Sequence, residues 1–326
     1  MTATSRDGEL PSAQPDSALA GVRFARVSPS NVEAAAAALV RAASGGDPRA
    51  GHRFLQTARV HQIDLTHFWA ASDAGRPSRV QHSCLIVPGS GATGMVFLSR
   101  PESAADNGVL GALLERALQG LTGVRLAQAL LTQDESSLEI PLAQTGFRKI
   151  AELLYLRRAW SEPSSPASGP WPEGVTVCTL ADTDDAALAE ALEASYEATQ
   201  DCPELHGMRR IEDVLASHRG TGRYDPTLWW VVFRDRRARG ALLLNQCPDQ
   251  DHCELVYLGL GPELRGLGLG RRLLHMGLGA IGRRPHRVVT CAVDARNAPA
   301  RRLYESEGFA PIASRSAYVR PLVENM

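Results

Sequence analysis

The stretch that decides the fold is Glu254–Leu274, ELVYLGLGPELRGLGLGRRLL. Glu254 to Leu260 is an apolar run that predicts a strand, Pro262-Glu263 a turn, and Leu269–Ile281 an amphipathic helix. Between strand and helix stands Arg265-Gly266-Leu267-Gly268-Leu269-Gly270. Glycine tolerates φ > 0 and lets the backbone come close to a ligand, so successive N–H groups in such a loop can converge on one anion. A helix opening near Gly268 aims its unpaired N–H groups and positive dipole end at the same point, and Arg265 and Arg271 add charge on either side. The combination suits a pyrophosphate. Three glycine loops compete for the assignment. A Walker A loop needs Gly-Lys-Ser/Thr, and the single lysine, Lys149, lies elsewhere. A dinucleotide fingerprint starting at Gly266 needs glycine where Arg271 stands. The third spacing, Arg/Gln-x-x-Gly-x-Gly/Ala, is met by Arg265, Gly268 and Gly270.

Downstream, DARNAPARRLYESEGF (Asp294–Phe309) places Asn297, Ala300, Tyr304, Gly308 and Phe309 in a second pattern. In a helix Ala300, Tyr304 and Gly308 share one face, so Tyr304 can project towards the strand-end cleft. On these two segments the sequence resembles the GNAT acetyltransferase superfamily, over Val175–Pro321. The resemblance implies a mixed α/β fold and acetyl-CoA as co-substrate. The backbone of Leu258, Gly259 and Leu260 would bond the pantetheine arm; Arg265, Gly266, Leu267, Gly268, Leu269 and Gly270, with Arg271, would hold the pyrophosphate; Asn297 would lie beside the pantetheine. Gly261 departs from the pattern, standing where these loops often carry a polar residue before the proline.

The implied reaction is direct acetyl transfer to a primary amine of a small molecule or peptide, with no covalent enzyme intermediate. Tyr304 would protonate the leaving thiolate, and Glu254, at the start of the cofactor strand, would serve as general base. Asp251 and Asp294 are alternative bases and His252 a weaker one. A non-catalytic acyl-CoA sensor or scaffold is the competing function; Tyr304 and Asn297 favour the enzyme. The acceptor would meet the first two helices, Asp184–Ser217, and their loop with Asp201, Glu204 and His206, but its identity is not written there.

The chain of 326 residues is long enough for two domains. Residues 1–20 lack periodicity and are expected to form a disordered tail, and SEPSSPASGPWPEG (161–174) a linker. The segments on either side, 21–160 and 175–326, predict two tandem GNAT-like domains. Trp69 and Pro88 are spaced like Trp229 and Pro248, and Gly146-Phe147 matches Gly308-Phe309. The first copy lacks the loop arginine and glycines around Ser103–Leu110 and has Leu142 where the second has Tyr304. It is expected to be degenerate, leaving catalysis to the second.

Within the second copy the pattern predicts a strand at Val175–Thr179 and a helix at Asp184–Ala198 with Asp182 or Thr183 as N-cap. A short helix follows at Arg210–Ser217, then a hairpin of Leu228–Phe233 and Gly240–Gln246 across Arg234–Arg239. A strand at Arg287–Val293, a helix at Pro299–Glu307 and a last strand at Ala317–Val319 complete it.

A formal net charge of -1 offers no field for nucleic acid or an anionic membrane. The six cysteines form no C-x-x-C pair and imply reduced thiols and a cytoplasmic location. No signal peptide or membrane span is expected. Cys247, His252 and Cys253 are close in sequence, but the spacing fits no common zinc pattern and no metal is expected. Arg283, Arg284 and Arg287 read as a solvated charge run, with the CoA 3′-phosphate as the alternative partner. The oligomeric state is open.

Overall fold

The computed structural model describes residues 19–161, 170–247, 251–282 and 288–322. Most of the expected tail and linker, and Arg283, Arg284 and Arg287, therefore lie outside the described residues.

The order of elements runs twice through β-α-α-β-β-β-α-β-α-β. The first pass is β1 (Val22–Arg26), α1 (Val32–Val40), α2 (Ala50–Val60), β2 (Phe68–Asp73), β3 (Arg76–Gly89), β4 (Thr93–Leu98), α3 (Asp106–Gln119), β5 (Leu126–Leu131), α4 (Glu139–Gln144) and β6 (Arg148–Ala159). The second is β7 (Val175–Thr179), α5 (Asp185–Tyr196), α6 (Ile211–Gly220), β8 (Trp229–Arg234), β9 (Arg237–Cys247), β10 (His252–Leu260), α7 (Leu269–Ile281), β11 (Val288–Asp294), α8 (Ala298–Ser306) and β12 (Ala310–Pro321). The duplication suggested by Trp69 and Trp229 is thus repeated element by element.

By contacts the chain divides into two compact units. One comprises residues up to Leu85 with Phe97–Gly120 and Ser137–Thr145. It holds β1, β2 and most of β3 as an antiparallel ladder, with Leu110, Leu113 and Leu114 of α3 fully buried. The other comprises Ile86–Val96, Leu121–Ser136 and everything from Gly146 onward. Its strands follow the order β4-β5-β12-β6-β11-β10-β9-β8-β7.

That order contains an exchange. The last strand of the second pass, β12, lies between β5 and β6, both from the first pass. The last strand of the first pass, β6, pairs antiparallel with β11 of the second, from Val288↔Ala159 to Asp294↔Leu153. This explains why β12 exceeds the expected Ala317–Val319. Its proline, serines and arginines blur the alternation, but pairing along both edges extends it to Ala310–Pro321.

Local chemistry sets the other boundaries. Helix α5 is capped by Asp184, whose carboxylate accepts the Ala187 N–H, not by Asp182 or Thr183. Asp182 is held by the Thr179 hydroxyl at 2.6 Å in the preceding turn, which leaves the extended Asp184 to cap. The β8–β9 turn tightens to Asp235-Arg236, both at positive φ (49° and 66°), as two-residue hairpins require. Helix α7 has the expected limits. It buries Leu269, Leu273, Leu274, Leu278 and Ile281, each apolar side chain contributing about 2 kcal/mol. Gly277 lets it approach β9, since a Cβ there would come within 2.8 Å of the Leu242 and Leu244 methyls. Trp229, wholly buried, donates to Asn245 at 2.7 Å, and Asn245 donates in turn to the carbonyls of His218 and Thr221, so this buried polar centre is satisfied.

Candidate active site

The site is built where two parallel strands part. Strand β10 pairs with β11 only through Cys253↔Val289 and Glu254↔Thr290. On its other side, β10 stays paired with β9 to Leu260↔Gly240, through a bulge between Leu255 and Tyr257 that bends it. The β11-facing backbone of β10 beyond Glu254 is consequently open. A cleft of ≈ 730 Å³ occupies this region, lined by Leu258–Leu260, the loop Arg265–Gly266, Gly268–Arg271, the start of α8 with Asn297, and Tyr304. Of the residues expected to bind cofactor, Leu267 alone is not part of the lining; it is 53% exposed.

The loop has the geometry an anion needs. Gly266 and Gly268 have φ of 76° and 75°, and Gly268 is the N-cap residue of α7. No side chain caps α7, so its first N–H groups are directed at the cleft mouth. Arg265 lines the cleft and also has a structural role. Its guanidinium donates to the carbonyls of Leu260 (2.9 Å), Ser195 (3.0 Å), Glu197 (2.7 Å) and Ala198 (3.0 Å). It ties the end of α5 to the end of β10. Arg271 is held at the rim by Ser306 at 2.8 Å and Glu307 at 3.0 Å.

Tyr304 lines the cleft while only 6% exposed, packed on Phe309 with ring centroids 5.5 Å apart. Burial, with Cys291, Asp201 and Tyr257 adding to it, pushes its phenol well above the ordinary value. At neutral pH it is a protonated donor. Asn297 caps α8 by accepting the Ala300 N–H at 3.2 Å, and its amide also bonds Asp201.

Asp201, expected as one of three polar residues in the acceptor loop, belongs to the site itself. It lines the same cleft, and burial raises its carboxyl despite the bonds it accepts from the Asp294 N–H and Asn297. Its loop sequence does not separate it from Glu204 and His206; the long-range bond to β11 brings it in. Tyr257 and Ser195, hydroxyl to hydroxyl at 2.6 Å, form the cleft wall and, unlike Asp201, were not singled out in the sequence.

The base candidates separate. Glu254 does not line the cleft; it lies farther back on β10, opposite Thr290, with its carboxyl raised by burial and partly lowered by His252 at 3.9 Å. Tyr155 of β6 is within its electrostatic reach. Asp294 is fully buried and clamped by Arg296 at 2.7 Å; burial works to raise it, but Arg296 and the N–H groups of Arg296 and Cys202 leave it below the usual range. Asp251 is exposed at the hairpin end with φ 51°. Glu204 is paired with Arg296 at 2.6 Å, and His206 is absent from the cleft lining.

In the first pass, the place of the glycine loop is filled from inside. The carboxylate of Asp106, the first residue of α3, accepts the N–H groups of Glu102 (2.7 Å) and Ser103 (2.8 Å). An internal carboxylate thus takes donors of the kind that the second pass leaves open. Leu142, the counterpart of Tyr304, is 1% exposed.

Comparison with known proteins agrees with this geometry. The profile of the Acetyltransferase (GNAT) family matches residues 187–309. A mycothiol acetyltransferase of Thermomonospora curvata is 31% identical over 235 residues, covering 72% of this chain and 75% of that protein. Another, of Beutenbergia cavernae, is 33% identical over 185 residues, 54% of this chain and 61% of its own length, so the chain spans less than two thirds of that relative. Among solved structures, a GCN5-related N-acetyltransferase from Sphaerobacter thermophilus superposes with a TM-score of 0.59 at 19% identity, over 93% of this chain and 96% of that one. A tandem GNAT protein from the clavulanic acid biosynthesis pathway gives 0.51 at 15% identity, over 92% and 98%. These two speak for the fold. The chain belongs to the GNAT acetyltransferase family.

Proposed function

We propose that the protein transfers the acetyl group of acetyl-CoA directly to a primary amine of a small molecule. The observation that carries this reading is the open edge of β10, with a glycine loop at one end of the cleft and the neutral phenol of Tyr304 in its wall. Pantetheine adds to that edge along Leu258, Gly259 and Leu260 as a further strand would. The N–H groups of Gly266 to Gly270 and the start of α7 take the pyrophosphate. A strand N–H polarises the thioester carbonyl. The amine nitrogen bonds the acetyl carbon, the carbon–sulfur bond breaks, the thiolate takes the Tyr304 proton, and the proton shed by the new amide nitrogen restores the phenol. Glu254, set back from the cleft on the same strand, accepts through intervening solvent the proton the ammonium must lose, and Asp201 gives the cationic acceptor a carboxylate inside the cleft. Holding both reactants together supplies up to about 7–11 kcal/mol of the barrier reduction.

The name shared by the relatives favours a small molecule over a peptide, and a mycothiol-related amine as the narrower choice. A cytoplasmic location fits six cysteines without a disulfide, and no described helix is long and apolar enough to cross a membrane. The test is CoA release from acetyl-CoA across an amine panel, with Tyr304→Phe alongside. Amine-stimulated release that falls about a hundredfold in the variant, at unchanged acetyl-CoA affinity, is expected. Tight acetyl-CoA binding without amine-stimulated release would favour the sensor module.

A further inference from the structure

We propose that Cys247, His252 and Glu254 form a three-donor Zn²⁺ site at the end of the β9–β10 ladder, and that its occupancy withdraws Glu254 from catalysis. The site follows from the register. Cys247 is directly opposite His252 across the antiparallel pair, and Glu254 is two residues along the same strand. Side chains two apart on a strand share a face, and directly opposed residues have Cβ atoms about 4.5–5.5 Å apart. The backbone alone thus gathers three ligating side chains on one face.

The side chains complete the arrangement. The Cys247 Sγ, a ring nitrogen of His252 and a carboxylate oxygen of Glu254 all lie within 4.8 Å of one another, with His252 Nε2 and Glu254 Oε2 3.9 Å apart. Donors around tetrahedral zinc lie about 3.3–3.8 Å from each other, given bond lengths of about 2.0–2.3 Å. Small side-chain rotations close that difference. The three residues are neither buried nor exposed, which leaves a fourth position for water. Thiolate, imidazole and carboxylate together suit zinc and exclude magnesium or calcium as the preferred ion. The backbone that precedes the thiol is held by the chain at Gly222-Arg223. Gly222 (φ +65°) packs so closely that a Cβ would stand 2.7 Å from the Sγ, and Arg223 bridges to Gln246. The Cys-x₄-His-x-Glu spacing escapes motif recognition because a strand ladder, not a helix or knuckle, sets it.

The binding site stands on this geometry, whereas its effect on turnover rests on Glu254 being the base. Full-length protein stripped with chelator is titrated with Co²⁺ and Zn²⁺, beside Cys247→Ser, Cys247→Ala and His252→Ala. One equivalent of Co²⁺ with a thiolate charge-transfer band is expected for the wild type. Losing a direct ligand should weaken Zn²⁺ by more than the roughly 10–100-fold seen for outer-shell partners. No band, or equal Zn²⁺ affinity in wild type and Cys247→Ser, overturns the site. Circular dichroism and acetyl-CoA binding report whether each variant is folded. In the CoA-release assay Zn²⁺ should inhibit the wild type and spare Cys247→Ala, while metal-free rates match. Equal inhibition of both overturns the regulatory claim. Zinc bound without any inhibition keeps the site and removes Glu254 as the base.

Discussion

Replacing Arg265 by lysine or glutamine separates two roles for its guanidinium. If the group neutralises pyrophosphate, lysine should substitute tolerably and glutamine should lose acetyl-CoA affinity. The observed contacts indicate otherwise: four carbonyls, from Leu260, Ser195, Glu197 and Ala198, surround the planar fork. A lysine ammonium is a compact donor that cannot span carbonyls on two elements, and glutamine offers one amide. Charge-assisted bonds contribute about 1.5–3 kcal/mol each when shielded, and less for an exposed residue such as Arg265. With one or two bonds retained, either variant should lose about 2 kcal/mol of local stability, a roughly thirtyfold rise in opening of 195–201. Hydrogen exchange of those amides measures this directly. Acetyl-CoA affinity should change less than threefold, because backbone N–H groups bind the pyrophosphate, while the acceptor KM rises with the loosened Asp201 loop. A loss of acetyl-CoA affinity above tenfold in Arg265→Gln, with exchange at 195–201 unchanged, would refute the reasoning.

Three further outcomes are expected. Burial, aided by Arg209, lowers His218 to about 4, so the folded state resists a proton that the unfolded chain accepts near 6.5. Stability is therefore unaffected above pH 6.5 and falls by about 3 kcal/mol as pH drops to 4, a loss that His218→Phe should remove from urea-unfolding curves. Gly91 has φ +72°, and a Cβ there would stand 2.0 Å from the Asp213 carbonyl, so Gly91→Ala should cost about 3 kcal/mol in the same assay. A fragment beginning at residue 170 lacks β6 and should neither melt cooperatively nor bind acetyl-CoA. Co-expression with residues 1–161 should restore both, and a fragment that binds acetyl-CoA unaided would contradict the exchange.

What the sequence made legible was local. Helix α7 has the limits its apolar spacing predicts, and Gly268 stands at its N-cap. The repeated tryptophans Trp69 and Trp229 fall on matching hairpins, β2–β3 and β8–β9, while Pro248 lies outside the described residues. Contacts that join distant segments were not legible. The guanidinium of Arg265 reaches back about seventy residues to α5, and the amide of Asn297 is shared between a helix cap and Asp201. Neither pairing leaves a periodic trace. Asp201 resembles any polar loop residue until the Asp294 N–H fixes it in the cleft. The Cys247–His252–Glu254 cluster depends on cross-strand register, which a one-residue slip would abolish.

The exchange of β6 and β12 bears on why a half without an open anion loop persists. Each half donates its final strand to the other's sheet edge, so neither is a spare copy that can be discarded. Leu142, buried where the second half has Tyr304, lies outside the exchanged strand ladder. The molecule is in effect a heterodimer written as one gene. Its connecting segment sets the effective concentration at which the partners meet, and splitting the gene there would turn folding into a bimolecular, concentration-dependent reaction.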